Sequence, residues 1–393
     1  MMKKVCVVTA TRAEYGLLRP LLFRLDQSNE VDLQLVVTGT HLCSIFGNTQ
    51  KEIEQDGFRD YFKVLLPLDD DSKEAMAIST GISTQKFAKL FSELLPDIVV
   101  ILGDRFEMLG VATAAHLMGI PIAHICGGDV TEGAVDDAIR HCITKLSFLH
   151  FPGCEESANR IIQMGESPDR VFNVGEPGIE NCVNMKLLLV EDLANEIGFK
   201  GVLTDYCVVT FHPVTMENNT AERQVRELIM AMDQFPNMSY IITKANADAG
   251  GRIINEIWDE EAKNRKNWYV TFSLGIQKYL SAVKSSKLVI GNSSSGLVEV
   301  PALKVPTINI GNRQKGRLMA KSVICCEPEL KDIVKAMNKG LSQAFKESIE
   351  GIVLPYGDGR TSEKILREIM HYLNSENRMA AKIFYNIVFQ KEK

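Results

Sequence analysis

The chain has 393 residues, which at roughly 100–200 residues per domain suggests two domains rather than three. Hydrophobic residues make up 45% and charged residues 24%, which excludes collagen-like, low-complexity and mainly disordered chains. The formal net charge of −6 gives no electrostatic case for nucleic-acid binding, so an anionic ligand would need a local cluster of donors.

The start, MMKKVCVV, carries two lysines before an apolar run too short for a signal peptide, and it reads as a first β-strand. Short runs rich in Val and Ile then alternate with longer amphipathic segments. Strands are predicted at Val5–Ala10, Val31–Thr38, Phe62–Leu68, Ile98–Gly103, Pro121–Ile125, Phe148–Pro152 and Val171–Val174, with helices such as Lys73–Leu95 and Glu107–Met118 between them. A seam without a strand covers about Asn184 to Asp205. The alternation restarts with strands at Cys207–Phe211, Ser239–Thr243, Tyr269–Phe272, Leu288–Ile290, Thr307–Ile310 and Val323–Cys326. Helices there are predicted at Ala221–Phe235, Ile253–Lys263, Ile276–Val283 and Leu330–Ser342. The tail Ser375–Lys393 reads as an amphipathic helix that could pack back on the first unit.

Strands apolar along their whole length are expected where helices cover both faces of a parallel sheet. The expected class is therefore α/β, with two Rossmann-like doubly wound domains and a cleft between them. The expected division is 1–183, 184–374 and a C-terminal helix over 375–393. No apolar run reaches the roughly 18 residues of a membrane span, so no membrane partner is expected. Nine cysteines, an odd number with no CxxC pair, fit reduced thiols in a cytoplasmic protein and no disulfide framework or metal site.

Ligands of such folds bind at the carboxyl ends of strands, so the chemistry is sought there. Arg12 follows the first strand and could grip a phosphate, or pair with Glu14 on the surface. No G-x-G-x-x-G or P-loop pattern occurs, which removes the main support for a dinucleotide site. Asp104 and Arg105 follow the fourth strand, where an Asp is costly unless paired, capping a helix or functional. The stretch His124 to His141 opens with paired glycines and holds Asp129, Asp136 and Asp137, a density of groups suited to acid–base work. In the second unit His212 ends the first strand against Pro213. Gly291-Asn-Ser-Ser-Ser-Gly296 before a helix makes a cradle of N–H groups for an anion, and Glu299 lies one turn in, within reach of ribose hydroxyls. Arg313 and Arg317 follow the next strand.

Together these residues resemble the hydrolysing UDP-N-acetylglucosamine 2-epimerases of sialic-acid and related nonulosonic-acid synthesis. The resemblance rests on Thr-Arg-Ala-Glu-Tyr at 11–15, Gly-Asp-Arg-Phe-Glu at 103–107 and Gly-Gly-Asp…Asp-Asp-Ala-Ile-Arg-His at 127–141. It continues with His-Pro-Val-Thr at 212–215, Asn-Ala-Asp-Ala-Gly at 246–250, Asn-Ser-Ser-Ser-Gly at 292–296 and Gly-Asn-Arg-Gln at 311–314. It implies the two-domain architecture of GT-B glycosyltransferases, a cytoplasmic homodimer or homotetramer, a nucleotide-sugar substrate and no cofactor. It also implies the chemistry. The nucleoside diphosphate departs, a carboxylate removes the carbon-2 proton to leave a glycal, water adds at carbon 1, and a proton returns to the opposite face of carbon 2. By position, Asp104, Asp129, Asp136 and His212 are the implied acid–base group. Arg12, Arg105, Asn246, Ser294, Ser295, Glu299 and Arg313 are the implied substrate contacts.

Two positions depart from the family. Cys126 stands where animal relatives carry glutamate and many bacterial ones histidine, and Asp129 replaces a common glutamate. UDP-N-acetylglucosamine leads as substrate. UDP-2,4-diacetamido-2,4,6-trideoxyglucose, on the legionaminic-acid route, and a GDP-linked analogue are alternatives. The competing readings are a non-hydrolysing epimerase, a GT-B transferase and a non-catalytic nucleotide-sugar sensor.

Overall fold

Every second residue of the first strand faces the same way, and this alternation builds the first unit. In β1 (Lys3–Thr9), Val5 and Val7 enter one apolar core while Cys6 and Val8 enter another on the opposite face. The computed structural model describes residues 2–43, 48–68, 72–131, 135–199, 203–214, 220–245, 251–376 and 381–387.

The chain forms two units, one of residues 1–181 and 356–393, the other of residues 182–355. The first unit holds β1, β2 (Val31–Thr38), β3 (Phe62–Val64), β4 (Ile98–Leu102), β5 (Ile122–Ile125) and β6 (Leu149–Phe151). They pair in parallel in the order β3-β2-β1-β4-β5-β6. The helices α1 (Arg12–Asp26), α2 (Gln50–Gln55), α3 (Lys73–Leu94), α4 (Phe106–Leu117), α5 (Val135–Leu146) and α6 (Glu155–Gln163) connect them. The chain leaves this unit through α7 (Pro177–Asn184).

The second unit contains β7 (Tyr206–Thr210), β8 (Ser239–Thr243), β9 (Trp268–Thr271), β10 (Leu288–Gly291), β11 (Thr307–Ile310) and β12 (Val323–Cys326), ordered β12-β11-β10-β7-β8-β9 and parallel throughout. Its helices are α8 (Val190–Ile197), α9 (Ala221–Asp233), α10 (Gly251–Ala262), α11 (Gly275–Ser285), α12 (Ser295–Ala302), α13 (Leu330–Leu341) and α14 (Gln343–Ser348). Numbered within its own unit, this order is the same as that of the first sheet. Cys207 and Val209 enter one core and Tyr206 and Val208 the other, again because both sheet faces are covered. Each sheet has a switch point where strand order reverses, β1/β4 in the first unit and β7/β10 in the second, and ligands of open α/β sheets bind at such points.

Three expectations are corrected. Val171–Val174 is not a strand, for Val171 makes only a single parallel bridge to His150. The third strand is three residues long and stops at Val64, short of the expected Leu68. The returning helix is not 375–393. It is α15 (Thr361–Asn374), whose Ile365, Ile369 and Leu373 recur every four residues and join the first unit's core. Residues 381–387 run without helix yet lie against the first unit, Lys382 pairing with Glu166 at 2.8 Å and Tyr385 N donating to Gly165 O at 2.9 Å. The crossover back to the first unit thus comes at Tyr356, before the expected boundary at 374.

Candidate functional site

In the first unit the switch point is framed by the loops leaving β1 and β4. Thr11 caps α1, its hydroxyl accepting from Glu14 N at 3.2 Å, while Glu14 Oε2 accepts from Ala10 N at 2.8 Å, a close variant of the capping box. Glu14 is buried, and burial raises its carboxyl to about 7 against partial relief from the Ala10 hydrogen bond and Arg105. Arg12 is exposed on the first turn of α1. Arg105 is committed to a two-point ion pair with Glu107, at 2.7 and 3.1 Å, and lies 3.9 Å from Glu14.

One guanidinium, that of Arg140, carries the carboxylates of Asp104 and, at 3.4 Å, Asp137. Arg140, on α5 and buried, pairs with Asp104 and donates to the Asp129 carbonyl at 2.9 Å and to Thr131 Oγ1 at 3.1 Å. Asp104 is therefore paired rather than capping, since Arg105 is the N-cap of α4. Asp129 accepts from Ser157 Oγ through its own side chain. Asp136, on the exposed face of the first turn of α5, is raised above the usual carboxylate range. Partial burial is the larger cause and the Asp104 charge the next, opposed by Arg105 and Arg140.

Two buried features hold this loop system in place. His124 on β5 is fully buried, and burial pushes its imidazole down to about 3, so it is neutral. Its Nε2–H then donates to the Gly103 carbonyl at 2.7 Å and fixes the chain just before Asp104. Gly128 takes φ +83, and a Cβ there would meet the Ser157 carbonyl at 2.4 Å, so only glycine lets the loop run this close to α6.

In the second unit an amide staples the two switch-point strands. Asn292 Oδ1 accepts from His212 N at 2.7 Å, and its Nδ2 donates to His212 O at 2.8 Å. The Asn292 carbonyl in turn accepts from Arg313 Nη1 at 3.1 Å and Gln314 Nε2 at 2.9 Å. Ser294 is the N-cap of α12 without spending its hydroxyl on the cap, and Ser295 Oγ accepts from Tyr279 OH at 2.9 Å. Glu299 lies one turn on, raised by burial and partly restored by Ser295 and Arg317. His212, Ser294, Ser295, Glu299 and Arg313 are thus neighbours around one helix N-terminus, the arrangement that favours an anion. Asn246 lies outside the described residues.

Residues 24–370 match the family model described as UDP-N-acetylglucosamine 2-epimerase. The chain belongs to that family. It is 40% identical over 95% of its length to a Campylobacter jejuni protein named GDP/UDP-N,N'-diacetylbacillosamine 2-epimerase (hydrolyzing), of which 96% is covered. It is 39% identical to the polysialic acid biosynthesis protein P7 of Escherichia coli, with 98% of each chain covered. A Legionella pneumophila UDP-N,N'-diacetylbacillosamine 2-epimerase (hydrolyzing) is 34% identical, over 93% of this chain and 94% of that one. In fold, the chain is similar to UDP-GlcNAc 2-epimerase from Neisseria meningitidis bound to UDP-GlcNAc, at TM-score 0.78, 17% identity and 94% coverage of this chain and all of that one. This family membership carries the two-domain GT-B-like architecture.

Arg140 and Ser157 are not among the residues expected from the sequence. Arg140 stands inside a quoted motif, and the signal was its cost: a guanidinium on the apolar face of an amphipathic helix needs carboxylate partners. Ser157, on α6, sits outside every motif. Among the described residues no helix is long and apolar enough to cross a membrane.

Proposed function

We propose that the protein is a hydrolysing 2-epimerase of a UDP-linked 2-acetamido sugar, releasing UDP and the manno-configured sugar. The observation that carries the reading is Arg140, which pairs with Asp104, holds the main chain of Asp129 and acts by its charge on Asp136, in a chain 40% and 34% identical to proteins named as hydrolysing 2-epimerases. Carbon 2 has no adjacent carbonyl, so its proton becomes acidic only as the diphosphate leaves and carbon 1 turns oxocarbenium-like. Departure needs donors on the diphosphate, and the Ser294–Ser295 helix end, His212 and Arg313 are suited to that role. Glu299 is suited to the ribose hydroxyls. Asp104 and Asp136 are the leading proton carriers, and the raised carboxyl of Asp136 suits a group that must give a proton back.

UDP-N-acetylglucosamine is the first substrate to test. The diacetamido-trideoxy sugar is the second reading, favoured by the names of the 40% and 34% identical relatives. We also assign the protein to the cytoplasm, in keeping with nine unbridged cysteines, and to a homodimer or homotetramer, which light scattering after gel filtration would test.

Proton NMR of the purified protein with each UDP-sugar in deuterated water tests the main reading. The expected products are UDP and a free manno-configured sugar carrying deuterium at carbon 2. A UDP-linked manno sugar would instead establish the non-hydrolysing reaction. Binding without any reaction would leave a sensor.

A further inference from the structure

Glu176 lies beyond β6, outside the motifs, yet its carboxylate reaches the exit of β5. Its Oε2 accepts from Cys126 Sγ at 3.5 Å, across 50 residues of chain. The seat is built for it. A Cβ at Gly153 would stand 1.9 Å from Glu176 Oε1, so only glycine leaves room for the carboxylate. The backbone is pinned as well, with Glu176 N donating to Tyr356 O at 2.7 Å. Cys126 itself takes φ +60, a left-handed conformation that a non-glycine residue keeps only where the surroundings impose it.

The charges acting on the thiol are those of Glu176, Asp129 and Asp104. With burial, they push it well above its ordinary value, so the thiol stays protonated and acts as a donor. A protonated thiol cannot take a proton from carbon. Glu176 thus joins Asp104 and Asp129 at the exits of β4 and β5, as the carboxylate in contact with Cys126. We infer that Glu176 is the base of the elimination step, with Cys126 as the positioning residue that holds it. Glu176, in place of Asp104, takes the carbon-2 proton, the electron pair of that C–H bond becomes the double bond between carbons 1 and 2, and Asp136 keeps the later return of a proton. The carbon 1–oxygen bond breaks with its pair on the departing diphosphate. The inference rests on the hydrolysing-epimerase reading above.

The test uses the full chain with UDP-N-acetylglucosamine and UDP-2,4-diacetamido-2,4,6-trideoxyglucose. E176Q is expected to lower kcat for UDP release about a hundredfold or more while KM moves less than about threefold. Deuterium incorporation at carbon 2 should fall with it, and UDP affinity should be unchanged. C126E/E176Q, which puts a carboxylate back by the other route, should regain about tenfold or more over E176Q. C126A removes only the donor, so it should raise the acid limb of the kcat/KM pH profile at modest cost in kcat. If E176Q melts more than about 10 °C below the parent, E176D carries the test, with an expected loss of about tenfold. The inference is overturned if the Glu176 variant that carries the test keeps kcat within about threefold of the parent. UDP release at the parental rate with the glycal accumulating also overturns it, since Glu176 would then serve only the return of the proton. No UDP release by the unaltered chain from either sugar sinks the reading itself and the inference with it, and that result appears before any substitution is made.

Discussion

Glu14 shows how one residue can tie the first switch point to pH. Its carboxyl is raised from 4.5 to about 7 in the folded chain, mainly by burial. The folded protein therefore holds a proton that the unfolded chain has released between about pH 4.5 and 7. Stability falls as pH rises through that window and levels off above it. The rise corresponds to roughly 3 kcal/mol. Glu14→Gln keeps an acceptor for Ala10 N and removes the titration. The melting temperature of this variant, relative to the parent, should climb by at least about 4 °C from pH 5 to pH 8. A flat difference across that range would remove the argument. At this scale the sequence was readable where residues form short motifs, as at Asn292–Gly296. It was not readable for Cys126 and Glu176, because a pairing across 50 residues leaves no periodicity and no spacing to detect.

Helix α15 depends on a carboxylate from another element. Glu180 on α7 accepts from Ser362 N at 2.6 Å and from Ser362 Oγ at 2.5 Å, while Arg24 Nε donates to the same hydroxyl at 2.7 Å. An anion at a helix N-terminus satisfies free N–H groups and meets the favourable end of the dipole. Glu180 is buried, so its loss leaves those donors dry. Glu180→Ala should cost about 2–3 kcal/mol and lower the melting temperature by about 5–10 °C. Glu180→Gln, which can still accept one bond, should fall between. Equal melting of all three proteins would show that the contact carries no stability. The central strands and long helices were legible because a two-sided parallel sheet makes its strands apolar throughout, as in Ile98–Leu102. The edge strand Phe62–Val64 was over-read because an edge is paired on one side only, so apolar residues beyond Val64 need not belong to it.

The second unit is an insertion within the first, since residues 182–355 lie between two segments that share one core. Ile365, Ile369 and Leu373 are each 1% exposed or less, and burying such side chains is worth ~1.5–3 kcal/mol apiece before ordering costs. A fragment of residues 182–355 should therefore melt cooperatively by circular dichroism. A fragment of residues 1–181 should not, until residues 356–387 are supplied on a linker or as a second chain. Cooperative melting of 1–181 alone would refute the shared core. The sequence argument found the first boundary because the strand alternation pauses there. It misplaced the second because α15 has the ordinary pattern of a sheet-covering helix, and nothing local says which sheet it covers. This layout also has a consequence in time. A ribosome releases the six strands of the first sheet before the inserted unit, but the helix that closes their core only after it. The inserted unit can finish folding while its host still waits with an uncovered apolar face. Newly made protein should then be most open to chaperones and proteases in the first unit, which is begun before the inserted unit and closed after it.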